Sequence, residues 1–267
     1  LFLGSEQNLD ETPPGHAAIS NDFLASTLAT TQIVDDTCTF LAAQRCGMQQ
    51  DQYKSWLYIT PPDFLFALLQ TCNIIDASGM PDPQIVRTFL EYSRAEAVLF
   101  LYQNWLSSTT VNELRLVDGL TFEGTWVNHP QSARQTIHNL LQKVPADTWW
   151  NLDSFILGVK LKMPDFQRPA GDYDSWYIRS TTNGQYLRGF SSWEEVDGAL
   201  IRYLITQPLH FLGLVDLGSP DKDAAPVAFR WSRWATSLLK DQVPGIKEPV
   251  PGKIHLFNTG LITIPRA

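Results

Sequence analysis

Three amphipathic segments, a short aromatic run between the first two, and a closing pair of β-prone runs predict a mainly α-helical fold with short β-hairpins. Helix, strand, helix, helix and a two-stranded wing is the order of a winged helix. Helical patterning further upstream extends the expectation to winged-helix-like units in tandem.

The best-defined unit is expected over residues 131–240. Its first helix is "SARQTIHNLLQKVP", which sets Ile137, Leu140, Leu141 and Val144 on one face and ends at Pro145. "DTWWNL" follows, short and aromatic enough to pair as a brief strand. "LDSFILGVKLKMP" spaces Leu152, Phe155, Ile156 and Val159 as a second amphipathic helix, closed by Pro164. "WYIRSTTNGQYLRGF" then carries Asn183-Gly184 between two β-prone arms, a hairpin signal inserted before the third helix. Ser191 and Ser192, each followed three residues later by Glu194 and Glu195, predict a capping-box start. From there a helix to about Gln207 would bury Val196, Ala199, Leu200, Tyr203 and Leu204. Pro208 cannot donate the next helical bond, so the helix is expected to stop there. "FLGLVDL" would then open the wing, "GSPDKDAAP" form its loop and "VAFRWS" return.

Upstream the pattern is less regular. Residues 1–17 are polar and Pro/Gly-marked, and read as a tail. Residues 18–107 read as a helical, winged-helix-like unit: Pro61 and Pro62 open one helix, and Val86, Leu90, Ala97, Leu101 and Trp105 recur at helical spacing. Residues 108–130 are an irregular connection, with room for a short helix or strand. Residues 241–267 read as a Pro/Gly linker followed by the opening strands of a further domain. The missing initiator Met and that ending suggest a piece of a longer protein.

Composition narrows the function classes. A 44% hydrophobic chain can bury a sizeable core, which argues against wholesale disorder. Cys38, Cys46 and Cys72 are odd in number and form no C-x-x-C pair, which suits reduced thiols in a cytoplasmic protein. No apolar run approaches the ~18 residues of a membrane span, so no membrane partner is expected. The net charge is -8, and residues 1–80 hold nine acids against two bases, so the first third is a poor phosphate binder.

"YDSWYIRSTTNGQYLRGFSSWEEVDGALIRYLITQPLHFLGLVDLG", with "WWNLDSFILGVKLKMPDFQRP", resembles a group of bacterial helicase-associated proteins. Their chains look like tandem winged helices leading into a domain similar to the DNA-binding part of XPB-type helicases. The resemblance covers roughly Ala133 to Trp234 and extends more weakly to the end. Its motif is made mostly of core residues, so it speaks to fold more than to activity. It implies a DNA-transaction setting without the motor, because no G-x-x-x-x-G-K-[ST] occurs and Gly119 to Gly124 is followed by Thr125.

Candidate nucleic-acid-binding residues are Arg179, Arg188, Arg202, Arg230 and Arg233, near the hairpin, third helix and wing. Against them, Glu194, Glu195 and Asp197 front the third helix, where they would suit the helix dipole and oppose phosphate. No catalytic, cofactor or metal site is expected. Asp172, Asp174, Glu194 and Glu195 read as exposed acids rather than a glycosidase pair, and the nine tryptophans read mainly as core. His129, His138 and His210 form no metal-ligand spacing, Cys72 reads as a small buried hydrophobe, and no G-x-S-x-G is present. Two functions follow: a non-enzymatic module supporting DNA binding in a larger helicase-associated protein, or a protein-interaction scaffold packing on other domains or a partner. A shared basic face would favour the first. Arginines paired one by one with acids would favour the second.

Overall fold

Helix starts follow the local chemistry in the first half of the chain. The computed structural model describes residues 12–19, 23, 25–48, 50–57, 60–238, 255–256 and 262–263. A short strand β1 (Ala25–Thr27) leads to α1 (Gln32–Arg45), a single turn α2 (Gln50–Tyr53) and α3 (Pro62–Thr71). α3 takes Pro62 in its first turn, where a missing N–H leaves no helical bond unmade. Next come α4 (Pro83–Glu91) and α5 (Arg94–Ser107). Asp82 caps α4 by accepting from the amides of Gln84 and Ile85 at 2.8 and 3.0 Å. Ser93 and Glu96 form a reciprocal capping box on α5. β2 (Leu120–Glu123) lies within the stretch expected to be irregular.

The second half carries α6 (Pro130–Leu141), β3 (Trp150–Asn151), α7 (Leu152–Lys162) and β4 (Tyr177–Ser180). One π-helical turn, Glu194–Gly198, runs into α8 (Ala199–Thr206), followed by a single turn α9 (Pro208–Phe211). β5 (Val215–Ser219) and β6 (Ala228–Trp231) precede α10 (Arg233–Leu238), and β7 (His255–Leu256) pairs with β8 (Ile262–Thr263). The Pro/Gly linker expected before β7 lies outside the described residues.

The architecture is mixed α/β rather than mainly α, because the N-terminal part of the chain joins the sheet. A four-stranded antiparallel sheet has the order β1-β5-β6-β3, and β2 pairs with β4 in a second, two-stranded sheet. β1 extends the expected wing, with Ala25 opposite Ser219 and Thr27 opposite Leu217. Residues 12–19, read from sequence partly as tail, pack along the opposite edge. Ala17 bridges Trp150, whose indole donates to the Pro14 carbonyl at 2.7 Å. Glycine is required at both sides of this crossing. A Cβ on Gly15 would sit 2.5 Å from the Ser154 carbonyl carbon, and one on Gly158 would sit 2.5 Å from the Gly15 nitrogen.

Two local expectations are corrected. Ser191 and Ser192 do not cap the third helix; their hydroxyls donate to the Arg188 carbonyl, and a 3-10 turn over Phe190–Ser192 precedes the π turn. Trp193 and Asp197 both sit wholly buried here, and the wider turn accommodates them. The wing also does not begin directly after Pro208. Proline starts α9 at its first position, and the chain turns at Gly213 (φ 80°) before β5. A Cβ on Gly213 would meet the Thr30 carbonyl oxygen at 2.8 Å.

A single hydrophobic cluster runs from Ile33 to Ala235. α5 is its hub, packing against α1, α3 and α6. Beside it lies a buried ion pair, Arg134 of α6 with Glu113, at 2.9 Å. The guanidinium also donates to the carbonyls of Trp105, Ser108 and Val111 at 2.6, 2.9 and 2.6 Å, while the Trp105 indole donates to Glu113 at 2.7 Å. Arg134 therefore closes the C-terminal end of α5, whose last carbonyls lack helical partners.

Truncating one member of such a pair strands the other charge in the core. Arg134→Ala is expected to lower unfolding free energy by about 3–5 kcal/mol in urea titrations. Arg87→Ala, which breaks an exposed pair with Glu91, is expected to leave the midpoint in place.

Two buried histidines add a pH dependence. His138 lies 2.8 Å from the Tyr102 hydroxyl, and His210 lies 2.8 Å from the Val215 carbonyl, which fits a ring capping a carbonyl. Burial pushes both below the ordinary imidazole value of 6.5. The unfolded chain then binds more protons than the folded one as pH falls below about 6.5, so stability is lost in that direction. Each ring contributes a slope of at most about 1.4 kcal/mol per pH unit. Unfolding measured between pH 7 and pH 5 should show this decline, and a His138→Gln/His210→Gln variant should flatten it.

Candidate nucleic-acid interface

The five candidate arginines fall on four separate elements and the segment after β4, and most have partners. Arg179 stands on β4. Its Nε lies 2.9 Å from Glu123 of β2, and its Nη2 donates to the Tyr186 hydroxyl at 2.7 Å. Arg202 of α8 pairs with Asp153 of α7. Arg230 of β6 donates to Asp216 of β5 at 3.0 Å and lies over the Trp149 ring at 4.7 Å. Arg233 packs over Trp234, with its guanidinium carbon 4.5 Å from the ring centroid. Arg188 differs: it is exposed, rests near the rings of Tyr177 and Tyr186 at 4.9 and 4.8 Å, and meets no carboxylate among the described residues.

The third helix is not offered to solvent. Every residue of α8 is buried or half-buried, and the helix packs against the 3-10 turn Glu113–Leu116. Its outward side borders a cleft of 580 Å³ shared with Asp63, Asp118 and Glu194. The opening sets three carboxylates, of which Glu194 is paired with Lys160, against the single guanidinium of Arg202, so its charge opposes phosphate. Coulombic repulsion and steric cover therefore act together against groove insertion.

The acids expected to front this helix have different tasks. Asp197 is fully buried and takes a bidentate contact from Arg168 at 2.9 and 2.9 Å, plus a bond from Gln167 at 2.6 Å. It is a core anchor, not a dipole charge. Glu194 pairs with Lys160 at 3.0 Å. Asp172 caps its own turn, accepting from the Ser175 amide and hydroxyl at 3.0 and 2.6 Å. These bonds hold its carboxyl below the usual range, the Ser175 hydroxyl most strongly. Burial pushes the Cys72 thiol up to about 12, as suits a small hydrophobe rather than a nucleophile.

Sequence reasoning missed two contributions to this region. Glu123 lay in a stretch read as irregular, yet it holds Arg179 across the second sheet. Arg168 was not singled out, because nothing local marks it as the partner of an aspartate 29 positions away. A usable signal did exist in the hairpin. The triplets Tyr177-Ile178-Arg179 and Tyr186-Leu187-Arg188 repeat on its two arms. In an extended chain such triplets place the apolar residue on one face and the Tyr and Arg on the other.

No family model, curated protein or solved structure matches this chain.

Asp216 accepts both from Arg230 and from the buried Ala29 amide at 2.8 Å, tying β1 and its following loop to the β5–β6 pair. Asp216→Ala should lower stability by about 1–3 kcal/mol through the unmet amide. It should also speed hydrogen exchange at Ala25–Thr27; unchanged exchange there would sink the tether.

Proposed function

We propose that this chain is a non-enzymatic, winged-helix-like module of a larger helicase-associated protein, acting as a protein-interaction scaffold in the cytoplasm. Support for the unit comes from its topology. With β4 and the single turn α9 set aside as insertions, α6, β3, α7, α8, β5 and β6 run helix, strand, helix, helix, strand, strand, and β3 returns to pair with β6. The helical half repeats this more faintly. α1, α2 and α3 lead to one antiparallel bridge, Ile75 with Pro81, which supports a second, reduced unit. The helicase-associated setting rests on the sequence resemblance.

One observation carries the choice of scaffold over DNA support. The helix that a winged-helix reader inserts into the major groove packs against the Glu113–Leu116 turn of the preceding half, and what remains of its surface borders a cleft that also holds Asp63 and Asp118. The arginine pairings point the same way: Arg179, Arg202 and Arg230 each have a carboxylate of their own. A DNA-binding role draws on topology and on the resemblance, and neither fixes function. No membrane contact enters this reading; no helix among the described residues is long and apolar enough to cross a bilayer.

Anisotropy of labelled duplex DNA, titrated with the protein at low salt, tests the reading. The expected result is no saturable binding at micromolar protein. Binding that falls steeply with salt and is lost on replacing Arg179, Arg188, Arg230 and Arg233 together would restore the DNA module.

A further inference from the structure

The hairpin after α7 presents two different faces. β4 pairs with β2 on one side, Leu120 opposite Ser180 and Glu123 opposite Tyr177. On the other side Arg179 bridges Tyr186, and the Leu187 amide donates to the Ile178 carbonyl at 2.9 Å. That register sets Arg179 against Tyr186 and Arg188 against Tyr177. Ile178 and Leu187 turn inward and are 1% and 8% exposed. Tyr177 and Tyr186 remain 46% and 40% exposed, and Phe190, two residues past Arg188, is 49% exposed.

The outward face is rigid because each polar group has a neighbour. Tyr186 donates to Glu123 at 2.7 Å, Arg179 donates to Tyr186, and Arg179 pairs with Glu123. That triad is electrically closed. Arg188 stands outside it, held by two aromatic rings and with no carboxylate of its own among the described residues. Aromatic support fixes the guanidinium plane while leaving its N–H edge open, the arrangement suited to a planar carboxylate.

We infer that this face, formed by Tyr177, Tyr186, Arg188 and Phe190, docks an acidic segment of a partner polypeptide, which sets a carboxylate against Arg188 and apolar side chains against the exposed rings. The inference rests on the scaffold reading. Charge decides the occupant. A nucleic-acid backbone needs several unneutralised cations in a row. Here Arg179 is balanced by Glu123 and Lys160 by Glu194, leaving one guanidinium. Exposed tyrosines around a single arginine instead match the composition of protein hot spots.

The test uses the intact chain and a short fluorescein-labelled peptide rich in glutamate with one phenylalanine, beside its glutamine counterpart and a labelled oligothymidine. The glutamate peptide should bind about tenfold more tightly than the glutamine one. Arg188→Ala should remove that difference at unchanged melting temperature, and Arg188→Lys should restore it only in part. Equal affinity for the two peptides, or undiminished binding by Arg188→Ala, overturns the site while leaving the scaffold reading in place. Salt-sensitive oligothymidine binding that Arg188→Ala abolishes overturns both. Sedimentation of the unliganded protein completes the set: a dimer lost in Arg188→Ala would make a second copy the occupant and overturn docking of a separate partner.

Discussion

The fold depends on a buried arginine at the junction of its halves. Arg134 leaves α6 and reaches the open end of α5, where it supplies donors to carbonyls that have no helical partner. Its charge is balanced by Glu113, and Glu113 is held in turn by the Trp105 indole. Replacing water around so many polar groups is costly, so the site works only with all its members in place. The consequence is architectural. The helical half and the sheet-bearing half cannot slide past each other without unmaking this network, and the turn carrying Glu113 also packs on α8. One network thus sets both the junction and the cover over the third helix.

The same use of charge recurs across the molecule. Arg168 with Asp197 anchors the π turn, and Asp216, paired with Arg230 on the adjacent strand, ties β5 to the segment after β1 through the Ala29 amide. In each case an arginine and its carboxylate fix one element against another. Such pairs fix register and orientation more than they add stability, since burial removes much of the Coulombic gain. Counting arginines therefore overstates the cationic surface. The first 80 residues, rich in acid, contribute partners such as Asp36, which accepts from the buried Thr60 amide at 3.0 Å.

Legibility in the sequence followed the range of the forces involved. Periodic segments such as Leu65–Leu69 and Leu152–Val159 read correctly because helical burial repeats within a few residues. The Asn183-Gly184 signal marked the place of the turn, but the loop is longer than the two-residue turn that signal implies: the Ser180 amide donates to the Gln185 carbonyl at 3.0 Å, and Gly184, not Asn183, takes a positive φ of 69°. The capping box at Ser191 and Ser192 failed because tertiary packing of Trp193 and Asp197 outweighed a local preference worth about 1 kcal/mol. β1 was invisible as a strand since it is only three residues long and is stabilised by a partner far along the chain, and β2 fell in a stretch that left a short helix or strand open. For the site, all five arginines were visible, but their partners were not. Glu123, Asp153 and Asp216 lie 56, 49 and 14 positions from the arginines they balance.

This asymmetry explains why the hairpin, rather than the third helix, is the surface open for recognition. In α8 the apolar residues Leu200, Ile201, Leu204 and Ile205 are inward, and the remaining face lines a cleft narrowed by the neighbouring half. In the hairpin, period-two alternation needs only Ile178 and Leu187 for the core, so Tyr177, Tyr186 and Arg188 stay available. The rings lose little conformational freedom when a partner arrives, because Tyr177 and Tyr186 already meet edge to face and Glu123 and Arg179 hold Tyr186. Preorganisation of that kind favours affinity without enlarging the contact. A helix withdrawn into the junction and an aromatic hairpin left outside are thus two results of one packing arrangement.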